Sequence, residues 1–184
     1  MKAFAMLVFG IVLGAVAVVL GLYFYFATGQ APVATSASPM PFEKRLAHRA
    51  LDAAISREMP KTVPLQPDES NLAAGAQVYR EHCAVCHGLP DQQETMIAAG
   101  MYPHPPKLLE GKGVTDDEPG ESYWKVANGI RLTGMPGFRD RLPDSKMWQV
   151  SLLVANADKL PKSVHDTLSE PLPFNNAAKP VLTR

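Results

Sequence analysis

The sequence predicts an all-α protein: an N-terminal helix able to span a membrane, followed by a small domain of three to four helices joined by Pro- and Gly-rich loops. Two observations predict it. A long apolar run without a charged side chain opens the chain, and four later stretches keep helical spacing between prolines, glycines and capping residues.

The apolar run "AFAMLVFGIVLGAVAVVLGLYFYFA", Ala3 to Ala27, is 25 residues long. At about 1.5 Å per residue it reaches roughly 37 Å, enough to cross a hydrocarbon core of about 30 Å with some tilt. A cleaved signal peptide usually has an apolar region of about 7 to 15 residues and a small-residue cleavage site. This run is longer, so residues 1–27 read as a retained anchor. Lys2 is the one charged side chain before Glu43. The positive-inside rule therefore puts the N-terminus in the cytoplasm and the rest of the chain outside. Tyr23, Phe24, Tyr25 and Phe26 at the exit resemble an interfacial aromatic belt.

Residues 28–41, "TGQAPVATSASPMP", are small, polar and Pro-containing, and read as a linker reaching at most about 50 Å. Residues 42–69 hold an amphipathic helix and a connector. Pro41 opens and Pro60 closes its pattern, Phe42, Leu46, Ala50 and Ala53 keep helical spacing with Leu51 and Ile55, and Lys44, Arg45, Arg49 and Arg57 lie opposite. Such a helix either docks on a membrane or partner subunit, or is a solvated helix covering part of the domain. "KTVPLQPDES" is a second, Pro-broken connector.

The domain proper is read over residues 70–161. "SNLAAGAQVYREHCAVCHG" starts on Ser70 as a cap and is helical to about Cys83. "LPDQQETMIAAGMYPHPPKLLEGKGVTDDEPG" is long and mostly irregular. "ESYWKVANGI" is a short helix with Glu121 in its first turn and Gly129 as its stop. "DSKMWQVSLLVANADKLP" is a helix capped by Asp144 or Ser145, with an apolar stripe of Met147, Val150, Leu152, Leu153 and Val154 and with Pro161 beyond its end. Residues 162–184 read as a C-terminal tail.

The chain has 184 residues, 46% hydrophobic, and 18 basic against 18 acidic side chains. That balance argues against nucleic acid as a partner. About 90 residues with three helices and much loop make a thin core for independent stability.

"EHCAVCHG" contains the chain's 2 cysteines, Cys83 and Cys86, with His87 directly after the second. Three chemistries use C-x-x-C. A tetrahedral zinc site needs four ligands, which here would come from scattered histidines at no recognisable spacing. A thioredoxin-like redox pair wants a βαβ context, whereas these flanks are a helix and a Pro-rich loop. The C-x-x-C-H form is the c-type haem signature: two thiols add to the porphyrin vinyl groups, and the adjacent imidazole ligates the iron. One covalently bound haem c follows, and its buried ring would supply the apolar surface that the thin core lacks.

For the sixth iron ligand, 8 methionines are available. Met1 and Met6 lie in the anchor, Met40 and Met59 flank the linker helix, and Met147 is on an apolar helix face. Of Met96, Met101 and Met135, Met135 alone sits in a Gly/Pro-stiffened turn, "TGMPG", just before the closing helix. Met101, or an exchangeable or vacant position, are the alternatives. The remaining histidines have ordinary readings: His82 and His104 as surface residues, His48 and His165 outside the haem segment.

From Ser70 to Pro161 the chain resembles the class I c-type cytochromes, in particular the single-haem, membrane-anchored bacterial kind related to cytochrome c subunits of respiratory oxidoreductases. The resemblance is carried by Gly75 and Tyr79 in "GAQVYREHCAVCHG", by Pro106-x-Leu108, by "ANGIRLTGMPGF" and by the tryptophan of "DSKMWQVSLLV". It implies thioethers at Cys83 and Cys86, His87 as proximal ligand and a distal methionine on the loop before the last helix. It also implies a backbone carbonyl on the other ring nitrogen of His87, from Pro106; because the loop from Gly88 is longer than in compact members, Pro105 is the alternative. Gly75 would let the first helix cross the last closely, with Tyr79 and an aromatic such as Trp148 at the crossing. Trp124 and Arg131 are candidates for the haem propionate neighbourhood, beside their ordinary readings as core Trp and surface Arg.

A haem iron held by His and Met has no vacant position for substrate, so the expected function is electron transfer rather than enzymatic catalysis. The leading expectation is a single-pass protein of a bacterial cytoplasmic membrane, haem domain facing the periplasm, carrying single electrons in a respiratory or dehydrogenase chain between redox protein partners. The alternative is a fixed haem subunit of a larger membrane oxidoreductase complex. A peroxidase or gas-binding haem protein would need an open sixth position.

Overall fold

The computed structural model describes residues 1–110 and 117–172. Among them are eight helices and no strand, all-α as the periodicity predicts but with three short helices that it does not. The chain divides into two units, Met1–Leu46 and Ala47–Arg184.

In the first unit, α1 (Lys2–Ala27) has no buried residue and is long and apolar enough to be a candidate membrane span. It ends at Thr28, whose N–H and hydroxyl both donate to Phe24 O, at 2.9 and 2.7 Å. At the start of α2 (Glu43–Glu58), the Glu43 carboxylate accepts the Met40 N–H at 2.8 Å, satisfying a donor ahead of the helix.

The second unit is built around α3 (Glu69–His82) and α7 (Asp144–Ala155). The helix starts differ from those read in the sequence. Asp68, not Ser70, caps α3, its carboxylate accepting the Asn71 N–H at 2.8 Å. Pro143 precedes α7, with Asp144 inside the first turn rather than capping it. Both starts follow a residue in extended conformation, and several Asp and Ser side chains nearby suit the role equally from sequence.

Gly75 makes the α3–α7 crossing close. A Cβ there would fall 2.3 Å from Gln149 O and 3.1 Å from Leu153 Cβ, so only a hydrogen side chain fits. Leu72, Ala76, Val78 and Tyr79 from α3 pack with Val150, Leu152, Leu153 and Val154 from α7. Trp148, expected at this crossing with Tyr79, packs elsewhere. Its ring stacks on Tyr123 of α6 (Pro119–Asn128), centroids 4.1 Å apart, within a second cluster with Ala127 and Met147. Trp148 and Leu153 lie five residues apart on α7, which turns them to different neighbours.

Two short helices interrupt the chain between α3 and α6: α4 (Ala84–His87), and α5 (Met96–Ala99) within the segment expected to be irregular. Residues 111–116, in the same segment, lie outside the described residues. The segment read as a tail also differs. Lys162–Ser169 forms α8, whose Val164 and Leu168 are 0% exposed and belong to the α3–α7 core. Their spacing of four places both on one helix face, a signal too short to separate from coil in the sequence. Residues 173–184 lie outside the described residues. At the other end, the C-terminal part of the stretch read as an amphipathic helix covers part of the domain: Ile55 is buried, Trp124 Nε1 donates to Glu58 at 3.2 Å, and Pro60 O occupies the place of a Gly120 side chain.

Candidate functional site

The two cysteines and the adjacent histidine occupy a single turn at the end of α3. Cys83 N–H donates to Tyr79 O at 2.8 Å, ending that helix. The chain then re-coils: Cys86 N–H and His87 N–H both donate to Cys83 O, at 3.1 and 2.9 Å, and Gly88, at φ +75°, releases it. The buried Tyr79 hydroxyl donates to Gly88 O at 3.0 Å, tying the turn back to the core helix.

Both cysteines are free thiols. Burial pushes the Cys83 thiol up to about 12, with the neighbouring Cys86 adding to it, and burial raises Cys86 as well. Reactive C-x-x-C pairs work through thiolates held below the ordinary range, so this environment is the reverse of a disulfide-exchange site. Among the described residues, no three His, Cys, Asp or Glu side chains gather to hold a metal ion.

The ring of His87 is oriented from behind. Its Nδ1 lies 2.6 Å from Pro106 O. A carbonyl can only accept, so Nδ1 carries the proton and Nε2 keeps its lone pair free for a metal. Burial holds the imidazole below its usual basicity, while the Pro106 carbonyl acts in the opposite direction. Pro105 is buried and makes no such bond to His87; its carbonyl faces His104 Nδ1 at 3.0 Å.

Three side chains that the sequence did not single out brace the loop delivering Pro106. Thr95 Oγ1 donates to Val85 O, between the two cysteines, at 2.6 Å, and also accepts the Ala98 N–H at the start of α5. Glu110 accepts the Asp91 N–H at 2.8 Å and the Lys107 ammonium at 2.9 Å. Glu94 pairs with His104 across the loop. A Thr directly before a helix is a capping signal, but α5 is a single turn and has no periodicity to reveal it.

Met135 lies on a loop folded against the end of α6. Gly129 stops the helix at φ +68°, and Phe138 N–H and Arg139 N–H return to Val126 O and Ala127 O at 2.9 and 3.1 Å. Within the loop, Met135 O accepts from Ile130 N–H at 3.2 Å and Met135 N–H donates to Thr133 Oγ1 at 3.1 Å. Gly129 and Gly137 let its two arms touch: a Cβ on Gly129 would fall 2.5 Å from Gly137 N. The thioether is thus half-buried on a pinned turn. Met147, by contrast, is buried in the second core cluster.

The two propionate candidates are not brought to a common place by any contact. Trp124 gives its N–H to Glu58, so the donor offered to a propionate is already engaged, and Arg131 is exposed. His82 and His104 are exposed as well.

The donor set fits a c-type haem: two unpaired thiols and an imidazole with a free Nε2 on one turn, and a thioether on a separate stiffened loop. Residues 70–152 match the family model described as Cytochrome C oxidase, cbb3-type, subunit III. No curated protein matches the chain. A solved structure from Kuenenia stuttgartiensis, a reducing HAO-like protein complex, is similar at 25% sequence identity and a TM-score of 0.45, over 56% of this chain and 53% of that one. The chain thus spans about half the length of that structure, and the likeness bears no weight for its function.

Proposed function

We propose that the chain, whose residues 70–152 match a c-type cytochrome family model, is an electron-transfer haem protein that binds one haem c through Cys83 and Cys86, with His87 Nε2 and Met135 Sδ as axial ligands, and carries single electrons outside a bacterial cytoplasmic membrane. The haem supplies reversible one-electron chemistry at its iron. The chain's own residues hold and shield it. The Pro106 carbonyl fixes the His87 tautomer and raises its donor strength. The α6-anchored loop presents a thioether, which favours the reduced state and leaves no place for substrate. Residues 1–27 would hold the protein in the membrane, with the haem domain on the periplasmic side and redox proteins of a respiratory or dehydrogenase chain as donor and acceptor.

The observation that carries this reading is the 2.6 Å contact of His87 Nδ1 with Pro106 O on the turn that holds both free thiols. Denaturing electrophoresis followed by a haem stain tests it. Haem should stay on the unfolded chain, weaken when either Cys83 or Cys86 is replaced by Ala, and be lost when both are. An unstained parent chain rules out covalent attachment.

A second reading, a fixed subunit of a larger oxidoreductase, is favoured by α2, where Lys44, Arg45, Leu46, His48 and Arg49 are all exposed. Gentle detergent extraction separates the two by the size of the species that carries the haem.

A further inference from the structure

Gly134, the residue before Met135, is a glycine without a backbone reason. It is not among the residues at positive φ, unlike Gly129 a few residues earlier. What stands where its side chain would be is the end of Met101: a Cβ on Gly134 would lie 1.9 Å from Met101 Cε and 3.5 Å from its Sδ. The seat is therefore cut to the Met101 methyl group.

Met101 lies on the loop that delivers Pro106 to His87. Its N–H donates to Ala98 O at 3.1 Å, which fixes it to α5, and α5 is tied through Thr95 to Val85 O between the cysteines. Five residues further on, Pro106 holds His87. The tip of the Met135 loop needs such a contact, because Leu132, at φ +61°, is 93% exposed and Gly134 is exposed too. The bonds from Met135 to Ile130 and Thr133 stay within the loop and do not tie its tip to the rest of the domain.

We infer that Met101 is a positioning residue: its side chain straps the loop that supports His87 to the turn that carries Met135 and so sets how firmly Met135 binds as sixth ligand, without ligating itself. The inference rests on the proposal that Met135 is that ligand. The occupancy of Met135 then depends on packing at Gly134, and any probe that competes for the sixth position reads it in proportion to the time the methionine is away.

The test uses the full-length haem-loaded protein and carbon monoxide as competitor for the reduced form. Met101→Ala should speed carbon monoxide binding by on the order of tenfold, through a larger population with Met135 displaced. It should also make the near-infrared band of thioether ligation vanish at a lower alkaline pH than in the parent. Site-specific replacement of Met101 by norleucine, which keeps the side chain out to its terminal methyl and puts a methylene in place of the sulfur, should leave both as in the parent. Gly134→Ala, which pushes the methyl out of its seat, should act like Met101→Ala and serves if that variant does not fold. A residue that only filled the core would lower thermal stability and leave the binding rate alone, and unchanged carbon monoxide kinetics in Met101→Ala or, failing that, in Gly134→Ala overturn the inference. So does the norleucine variant behaving like Met101→Ala, since sulfur rather than the seated methyl would then be the acting atom. Met135→Ala retaining the band would instead overturn the ligand assignment beneath it.

Discussion

The Glu110 carboxylate is held below its ordinary value by the Lys107 ammonium and the Asp91 N–H. It closes the loop that carries Pro106 to His87, so its protonation should reach the site mechanically. A depressed folded-state pKa contributes stability that is fully present above the unfolded value, about 4.3, and is lost as pH falls through the folded one. Glu110→Gln should therefore lower the melting temperature slightly at pH 7, slightly because the pair is partly exposed and screened. The gap to the parent should close as the pH drops below the folded-state pKa of Glu110. An equal gap at both pH values would assign the loss to packing alone. At this scale, legibility followed chain distance. Cys83, Cys86 and His87 are contiguous, so one helical turn forces them together whatever the rest does. The seat of Met101 on Gly134 joins two loops with no common periodicity, and only tertiary packing reveals it.

At the scale of elements, the helices containing the motif and the closing helix were readable because each carries an apolar stripe long enough to show its period. The packed ends were not. α8 has eight residues and two buried side chains, and a polar, Pro-flanked stretch of that length reads as tail. Yet Arg80 of α3 donates to Thr167 O at 2.9 Å, and Val164 and Leu168 fill the core beside it. Leu168→Ala should cost about 2–5 kcal/mol by the lost burial and the cavity left behind. Chemical denaturation of the haem-loaded protein measures it, and a loss within error of zero would mean α8 is detachable. Gly75→Ala places a methyl against the Gln149 carbonyl of α7, backbone against backbone. The crossing must open, at a cost of about 1–3 kcal/mol or more. Parent-like stability would show that the two helices have room to spare.

For the whole molecule, the apolar run and the C-x-x-C-H motif led to one architecture from opposite ends: a candidate span, and a helical domain with a donor set that fits haem. The full chain should resist extraction from membranes by salt and carbonate, since from Ala3 to Ala27 α1 carries no charged side chain over a length that spans rather than adsorbs. Recovery of the intact chain in the wash would remove the anchor from the account. The central claim, an electron-transfer site closed by His87 and Met135, is tested most directly by the near-infrared absorption of the oxidised, full-length protein beside its Met135→Ala variant. The account predicts a weak charge-transfer band of iron–thioether ligation in the parent and none in the variant, whose potential falls as another donor or water takes the position. A parent without the band, or a Met135→Ala protein that keeps it, would contradict the site as drawn.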